Sequence, residues 1–600
     1  MTTSRELNQV TRTGLYWPGK RTEVDRVALP FQVVETVNVS RATRETAPLL
    51  AAVQHDTDRA WRNKLIWGEN KYIMASLLDQ GFAGKINLIY IDPPFATGAD
   101  FSIDVRVGDE EWTKEASIIE EKAYRDTWGK GLDSYLQMMY DRLVLMRELL
   151  ADTGSIYVHL DWRMVSYIRL LMDDVFGSSC FRNEVVWFYK RWSAQSSQFQ
   201  RQHDTLLYYS RADSPTFNVL HEPYTEGTLR RWKGIKRKTT IGDDGKLIQV
   251  EDTEGQPGSN MGDVWRISII NANANERTGF PTQKPEELVE RVIGASSNPG
   301  DLVADFFCGS GTALTVAERM GRRWIGVDLS RYAIQATRKR LLDAPDCTPF
   351  EVLNLGKYER QHWQVHVNGR GAEEQQVLAH YLDFIVQLYR GERAVGFAHL
   401  HGRKAGRMVH VGAVDAPVTL SEINEALVEC SDNKLRGLDV LGWEWEMGLH
   451  DLVTAEARKR GVDLRLLTIP REVMDARAVE AGDIEFYELA YLDVAADRSP
   501  SGFRVALKNF IIPNEDLVPQ EVRAKIKRWS DYVDFWAVDW TYQGDTFHNQ
   551  WQSYRTRKHP SLQLESDWHS YDERGTHQLL VKVIDIFGND TTKLLRVDAR

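Results

Sequence analysis

Apolar runs that recur between helix-like segments constrain this chain most. They are "KINLIYI" (85–91), "SIYVHLDW" (155–162), "DLVADFF" (301–307) and "RRWIGVDLS" (322–330). The first is apolar nearly throughout, as a strand covered on both faces must be. Segments of helical period alternate with them. "LDSYLQMMYDRLVLMRELLADTG" (132–154) reads as a helix stopped by Gly154, and "RMVSYIRLLMDDVFG" follows at 163–177. "PTQKPEELVERVIGASSNPG" starts at 281 with Pro285 suited to a first turn. "TALTVAERMG" and "RYAIQATRKRLL" are helical in turn, and 61–80 reads as strand, turn at Gly68-Glu69-Asn70, then helix. Alternating strands and helices predict an α/β fold around a parallel sheet.

The 600 residues exceed what one core can organise, so three or more domains are expected. Residues 1–60 are polar and read as an N-terminal arm. The alternation fills 61–345 but is interrupted at 183–265, where "EVVWFYKR" and "DTLLYYSR" read as hairpin strands. "DAPDCTP" (343–349) reads as a linker, 351–490 as a second α/β module, and 491–600 as a β-sandwich with a turn at Gly588-Asn589-Asp590. No run of 18 apolar residues is present, and the N-terminus lacks an apolar signal core, so a cytoplasmic protein without a membrane span is expected. Cys180, Cys308, Cys347 and Cys430 lie far apart, which argues against disulfides and a structural zinc. The net charge of −11 argues against a nucleic-acid partner until its distribution is considered. "RRWKGIKRK" gathers Arg230, Arg231, Lys233, Lys236, Arg237 and Lys238 around a tryptophan. It suits either a solvated loop or a phosphate-contacting surface.

Two strand ends carry chemistry. "LIYIDPPFATG" leaves its strand on Asp92-Pro93-Pro94-Phe95. The two prolines stiffen the segment and supply no N–H to compete for its carbonyls, so an array of acceptors is held still beside an aromatic face. Alone, Asp92 could equally be a turn-forming acid. The second strand ends at Asp305-Phe306-Phe307, and Gly309 and Gly311 then allow a ligand close to the backbone. Asp328, 23 residues after Asp305, is placed to accept from ribose hydroxyls. The loop lacks the third glycine of a dinucleotide site and follows an acid, which suits a positively charged adenosyl ligand. A plain strand–helix turn is the bland alternative.

"DFFCGSGT" resembles the cofactor motif of amino-methylating DNA methyltransferases, and "DPPF" resembles their D-P-P-[YF] tetrad. The tetrad comes first, an order similar to the permuted beta class, and "LIWGENKYIMASL" and "GFPTQKPEELVERVI" are similar to the flanking segments. Across 61–345 the chain most resembles the modification subunit of type III restriction–modification systems. One departure is Phe95, where tyrosine is commoner; the stacking face is kept.

The resemblance implies a Rossmann-like domain of permuted motif order that binds S-adenosylmethionine, flips an adenine from double-stranded DNA and methylates its N6 amine, with no metal. It implies Asp92, Pro93, Pro94 and Phe95 as the catalytic tetrad. Asp305, Phe307, Gly309, Gly311, Asp328, Glu69, Thr282 and Lys284 would surround the cofactor. For Glu69, Phe307, Thr282 and Lys284, plain turn, core and capping roles stay open. Trp187, Tyr189 and Lys190 would face the flipped base or phosphates, or simply pack their strand. The partners implied are duplex DNA, a helicase or nuclease restriction subunit, and a second copy in a homodimer. Cytosine-N4 methylation and a non-catalytic DNA-binding scaffold are the competing functions. A third reading makes 351–490 a nuclease, with Glu444 and Glu446 on one strand face near Asp439 as metal ligands, against a solvated strand face.

Overall fold

The computed structural model describes residues 14–38, 61–94, 102–107, 110–115, 131–191, 197–224, 237–241, 247–251, 258–271, 274–280, 282–344, 346–356, 358, 360, 374–446, 449–474, 479, 484, 486–512, 520–544, 546–556 and 559–599. Its centre is a sheet of eleven strands: β1 (Gln32–Val37), β2 (Asn63–Trp67), β3 (Ile86–Ile91), β4 (Leu150–Leu160), β5 (Phe181–Phe188), β6 (His203–Ser210), β7 (Val264–Arg266), β8 (Leu302–Asp305), β9 (Arg323–Asp328), β10 (Phe350–Asn354) and β11 (Phe547–Asn549). Their order across the sheet is β7-β5-β6-β4-β3-β8-β9-β2-β10-β1-β11. The six strands from β4 to β10 in that order run parallel. β6 lies antiparallel to both β4 and β5, as the hairpin reading requires.

The helices are α1 (Asn70–Leu77), α2 (Leu132–Leu149), α3 (Val165–Phe176), α4 (Glu286–Ser296), α5 (Thr312–Arg319) and α6 (Arg331–Leu342). They cover both faces of the sheet, and this is why its strands are apolar on alternate and intervening positions alike. Ile89, Ile91, Ala304 and Ile325 pack with Ile73, Met139, Leu143, Met146 and Ile168. Leu88, Tyr90, Val303 and Trp324 pack on the opposite face with Val289, Val292, Leu314 and Ile334.

Three boundaries differ from the sequence reading. α2 ends at Leu149, and Gly154 lies inside β4. A Cβ on Gly154 would sit 2.8 Å from the Ala151 carbonyl oxygen and 3.0 Å from that of Ile86, beside a register irregularity between Ile86 and Leu88, so this glycine serves a close backbone approach. Within residues 1–60, Gln32–Val37 is a sheet strand, antiparallel to β10 and parallel to β11. The stretch 343–349 leads back into the same sheet, because Phe350–Asn354 pairs with β2.

The buried Glu35 of β1 receives Arg338 of α6 at 2.5 Å and Lys582 at 3.4 Å. A buried carboxylate needs such partners, and removing one of them from such a group costs about 3–5 kcal/mol.

Beyond 354 a six-stranded sheet runs in the order Glu392–Arg393, Gly402–Lys404, Arg407–Val411, Gly437–Gly442, Asp463–Thr468, Tyr487–Glu488. Its strand ends at Gly442, so Glu444 and Glu446 do not share a strand face. Glu444 pairs with Arg360 at 2.9 Å, and Glu446 accepts the Leu420 N–H at the start of helix Leu420–Asp432. Asp439 is held by Arg407 and the Tyr389 hydroxyl. The three carboxylates serve separate structural contacts, and no group of metal-ligating residues occurs among the described residues, which removes the basis of the nuclease reading. Toward the C-terminus the hairpin Tyr491–Ser499/Gly502–Ile511 shares one core, with Phe510, Trp536 and Val581, with a four-stranded sheet. No helix among the described residues is long and apolar enough to cross a membrane.

Candidate active site

The sheet places the two chemical strand ends side by side. β3 and β8 pair directly, with Val303 opposite Leu88 and Ala304 opposite Ile89. β3 continues through α2 to β4 on one side, whereas β8 continues through α5 to β9 on the other. Connections that diverge between neighbouring parallel strands leave a crevice at their C-terminal tips. Asp92 and the glycine loop flank that crevice.

The Asp92 carboxylate is half-buried. One oxygen receives the Lys284 ammonium, and the other is buried without a hydrogen-bond partner among the described residues. Lys284, placed by sequence near the cofactor, is thus the counter-charge of Asp92, and its carbonyl lies 3.4 Å from the Thr312 hydroxyl. Thr282 is exposed, and its carbonyl accepts from Lys284.

Beneath Asp92 lies a group that the sequence reading missed. The fully buried His159 of β4 has Nδ1 3.1 Å from the Tyr90 hydroxyl and 4.0 Å from Asp92 Oδ1, with Nε2 3.5 Å from Asp204 of β6. Burial raises the Asp204 carboxyl, but its neighbours His159, Lys284 and Tyr189 together outweigh burial and hold the group below its usual value. Burial first, then Asp92, keeps the Tyr90 phenol protonated far above its ordinary range. Of the two roles open to Trp187, the structure shows strand packing: its indole N–H donates to the Ile267 carbonyl at 2.9 Å and its ring meets His159 edge-on. Burial first, then the neighbouring Asp204, raises the Tyr189 phenol above its usual range.

The glycine loop is built for close approach. Gly309 and Gly311 have φ of 50° and 73°, and a Cβ on Gly311 would sit 2.6 Å from Thr337. The Gly309 N–H donates to Asp328 at 2.9 Å, while its carbonyl accepts from the Thr337 hydroxyl. Asp328 also accepts the Ser330 N–H, so it pins the loop. Asp305 accepts the Phe307 N–H, and the Phe307 ring packs partly buried against the core. Glu69 lies past the tip of β2 and binds Arg142; Arg142 also donates to Asn70, whose amide donates to the Phe306 carbonyl. Arg142 and Asn70, too, escaped the sequence reading. Phe95, Arg230, Arg231, Lys233 and Lys236 lie outside the described residues, and Arg237 and Lys238 are described only as backbone of a strand paired with Leu247–Glu251. Lys190 is exposed and follows β5.

The donor set fits a cationic, hydroxyl-bearing ligand better than a pyrophosphate. Asp92, Asp305, Asp328 and Glu69 ring the strand tips, while the cations Lys284 and Arg142 are already paired with carboxylates. Burial pushes the Asp305 carboxyl well above its usual range, and the Asp92 and Asp328 charges add to this, against the Phe307 N–H and Lys284. A cation arriving beside this acid favours its ionised form. S-adenosylmethionine binding is therefore expected to release a proton and to tighten as pH rises toward the raised Asp305 value, then level off. Calorimetric titration in two buffers of different ionisation enthalpy measures that proton; Asp305→Asn should abolish it. Wild-type binding with no proton exchanged would contradict the assignment.

An acid–proline clamp and a nucleoside loop on adjacent tips of a parallel sheet define a group-transfer enzyme that works on a base. Residues 86–339 match the family described as DNA methylase. The type II methyltransferase M.EcaI of Enterobacter cloacae is 30% identical over 336 residues, 46% of this chain and 69% of that protein. The DNA adenine methyltransferase YhdJ of Escherichia coli K12 is 26% identical over 43% of this chain and 77% of its own. The Mod subunit of the type III restriction-modification enzyme StyLTI of Salmonella typhimurium is 28% identical over 40% of this chain, but only 37% of that subunit is spanned. Among solved structures, M1.HpyAVI complexed with SAM aligns at 17% identity over 47% of this chain and 100% of its own, with a TM-score of 0.30. The chain belongs to the DNA methylase family, whose members are S-adenosylmethionine-dependent enzymes.

Proposed function

We propose that this protein methylates the N6 amine of an adenine flipped out of double-stranded DNA, as the modification activity of a restriction–modification system. The observation that carries the reading is Asp92: a carboxylate with one oxygen balanced by Lys284 and the other buried without a hydrogen-bond partner among the described residues, next to the glycine loop. S-adenosylmethionine, when bound, supplies an activated methyl group on a sulfonium, so no metal is required. Asp92 and the Pro93 carbonyl accept from the adenine amine and favour a tetrahedral nitrogen whose lone pair is free to attack. Asp92 Oδ1 takes up the proton that the methylated amine sheds. Fixed acceptors of this kind act by positioning and electrostatics. His159, braced by Tyr90 and Asp204, keeps the floor of the pocket from shifting.

Adenine is favoured over cytosine because the tetrad opens on Asp, where cytosine-N4 enzymes usually carry Ser, and because YhdJ is named an adenine methyltransferase. Relationship to a Mod subunit supports work beside a restriction subunit of helicase or nuclease type. Methylation-aware sequencing of DNA from cells expressing the protein should return N6-methyladenine in one sequence context. N4-methylcytosine there, or unmodified DNA, rejects the proposal.

A further inference from the structure

The crevice has a rim that methyl transfer does not use. β4 pairs with β3, Ile91 opposite Val158, so Asp161-Trp162-Arg163 emerge at the same sheet edge as Asp92-Pro93-Pro94. Trp162 is 47% exposed. The Arg201 guanidinium lies 3.7 Å from its ring centroid and that of Arg163 5.1 Å. Arg201 comes from the connection between β5 and β6, and two residues before it Phe199 is 98% exposed. Arg191, also exposed, starts the same connection.

An almost fully solvated phenylalanine among arginines, on a chain of net charge −11, is a local reversal of both polarity and charge. The connection is also tied to the reaction centre. Three residues beyond Arg201, Asp204 contacts His159, which lies under Asp92.

We infer that the stretch 197–202 of this connection enters duplex DNA, with Phe199 filling the space left in the stack by the extruded nucleotide and Arg201, held on Trp162, taking a flanking phosphate. The inference rests on the base-flipping reading above. Extrusion breaks stacking on both sides of the target, and an apolar wedge replaces part of it. Aromatic stacking on a base makes a difference of about 10- to 100-fold in an equilibrium constant. Phosphates on either side carry the charge that Arg201 complements; Arg163 is already paired with Asp161.

The test uses the full chain and two duplexes carrying the site found by sequencing, one fully paired and one with an abasic position opposite the target. Phe199→Ala should lower kcat/KM on the paired duplex by about 10- to 100-fold. It should stay within about threefold of wild type on the abasic duplex, where unpairing is already complete. Phe199→Trp should preserve both activities. Arg201→Ala should weaken both duplexes alike and reduce the slope of log affinity against log salt by about one. Because Phe199 is solvated, its truncation leaves the thermal midpoint unchanged. Wild-type rates for Phe199→Ala on the paired duplex, or equal losses on both duplexes, overturn the wedge. Wild-type protein that methylates neither duplex overturns the adenine reading, and the wedge falls with it.

Discussion

Replacing Asp92 with Ala is expected to lower methyl transfer to DNA by on the order of 10²–10³-fold, the loss seen when one preorganised electrostatic contact is removed from an active site. Cofactor binding should stay measurable, because the glycine loop is held by Asp328 and Thr337 and not by Asp92. Asp92→Asn tests the same point with little change in volume: its amide turns a donor toward an amine that needs an acceptor. Either substitution deprives Lys284 of its counter-charge, so Asp92→Ala/Lys284→Met controls for an orphaned ammonium. Single-turnover transfer of labelled methyl, set beside calorimetric cofactor affinity, separates chemistry from binding. An Asp92→Ala protein that transfers methyl at near wild-type rate would remove Asp92 from the mechanism.

Gly311→Ala should be the most damaging of the small substitutions. Its φ of 73° is a left-handed conformation, which costs a Cβ-bearing residue about 1–2 kcal/mol. The new methyl would also lie 2.6 Å from Thr337, and overpacking of that kind adds about 1–3 kcal/mol. Together about 2–5 kcal/mol is lost from the loop, read as a lower unfolding midpoint and at least about tenfold weaker cofactor binding. Gly309→Ala is the milder control, since its Cβ would meet only the Phe280 ring at 3.3 Å. A Gly311→Ala protein with unchanged midpoint and affinity would show that the loop tolerates what its geometry forbids.

The central sheet and its two reactive tips are legible in the sequence because local signals coincide there. Ile86 to Ile91 must be covered on both faces, prolines stop the strand, and glycines open the next loop. Asp92, Asp305 and Asp328 follow from position at a strand end alone. His159 and Asp204 are hidden for the opposite reason. Nothing local sets either apart from the other polar residues of its strand, and only the lateral pairing of β4 with β3 and β6 brings them under Asp92. An ionisable group at an inward position of an otherwise apolar strand is the signal that would have flagged His159. Trp187 stays ambiguous in sequence because an aromatic beside lysine and arginine suits a nucleic-acid surface as well as a core; its indole fills the core. The strand Gln32–Val37 is invisible because it is short, lies in a polar stretch, and takes partners distant in sequence.

That strand also dictates a timetable. Thr36 meets His548 at 2.6 Å across a separation of 512 positions. At ribosomal speeds of roughly 5–20 residues per second, the emerging polypeptide waits about 25–100 s before the second neighbour of this strand is translated. Until then the catalytic half can collapse, but its outer border stays unsealed, an adhesive margin among other nascent chains. Maturation of the enzyme is therefore a late event in its own translation, and premature termination anywhere upstream of Phe547 leaves the same border permanently open.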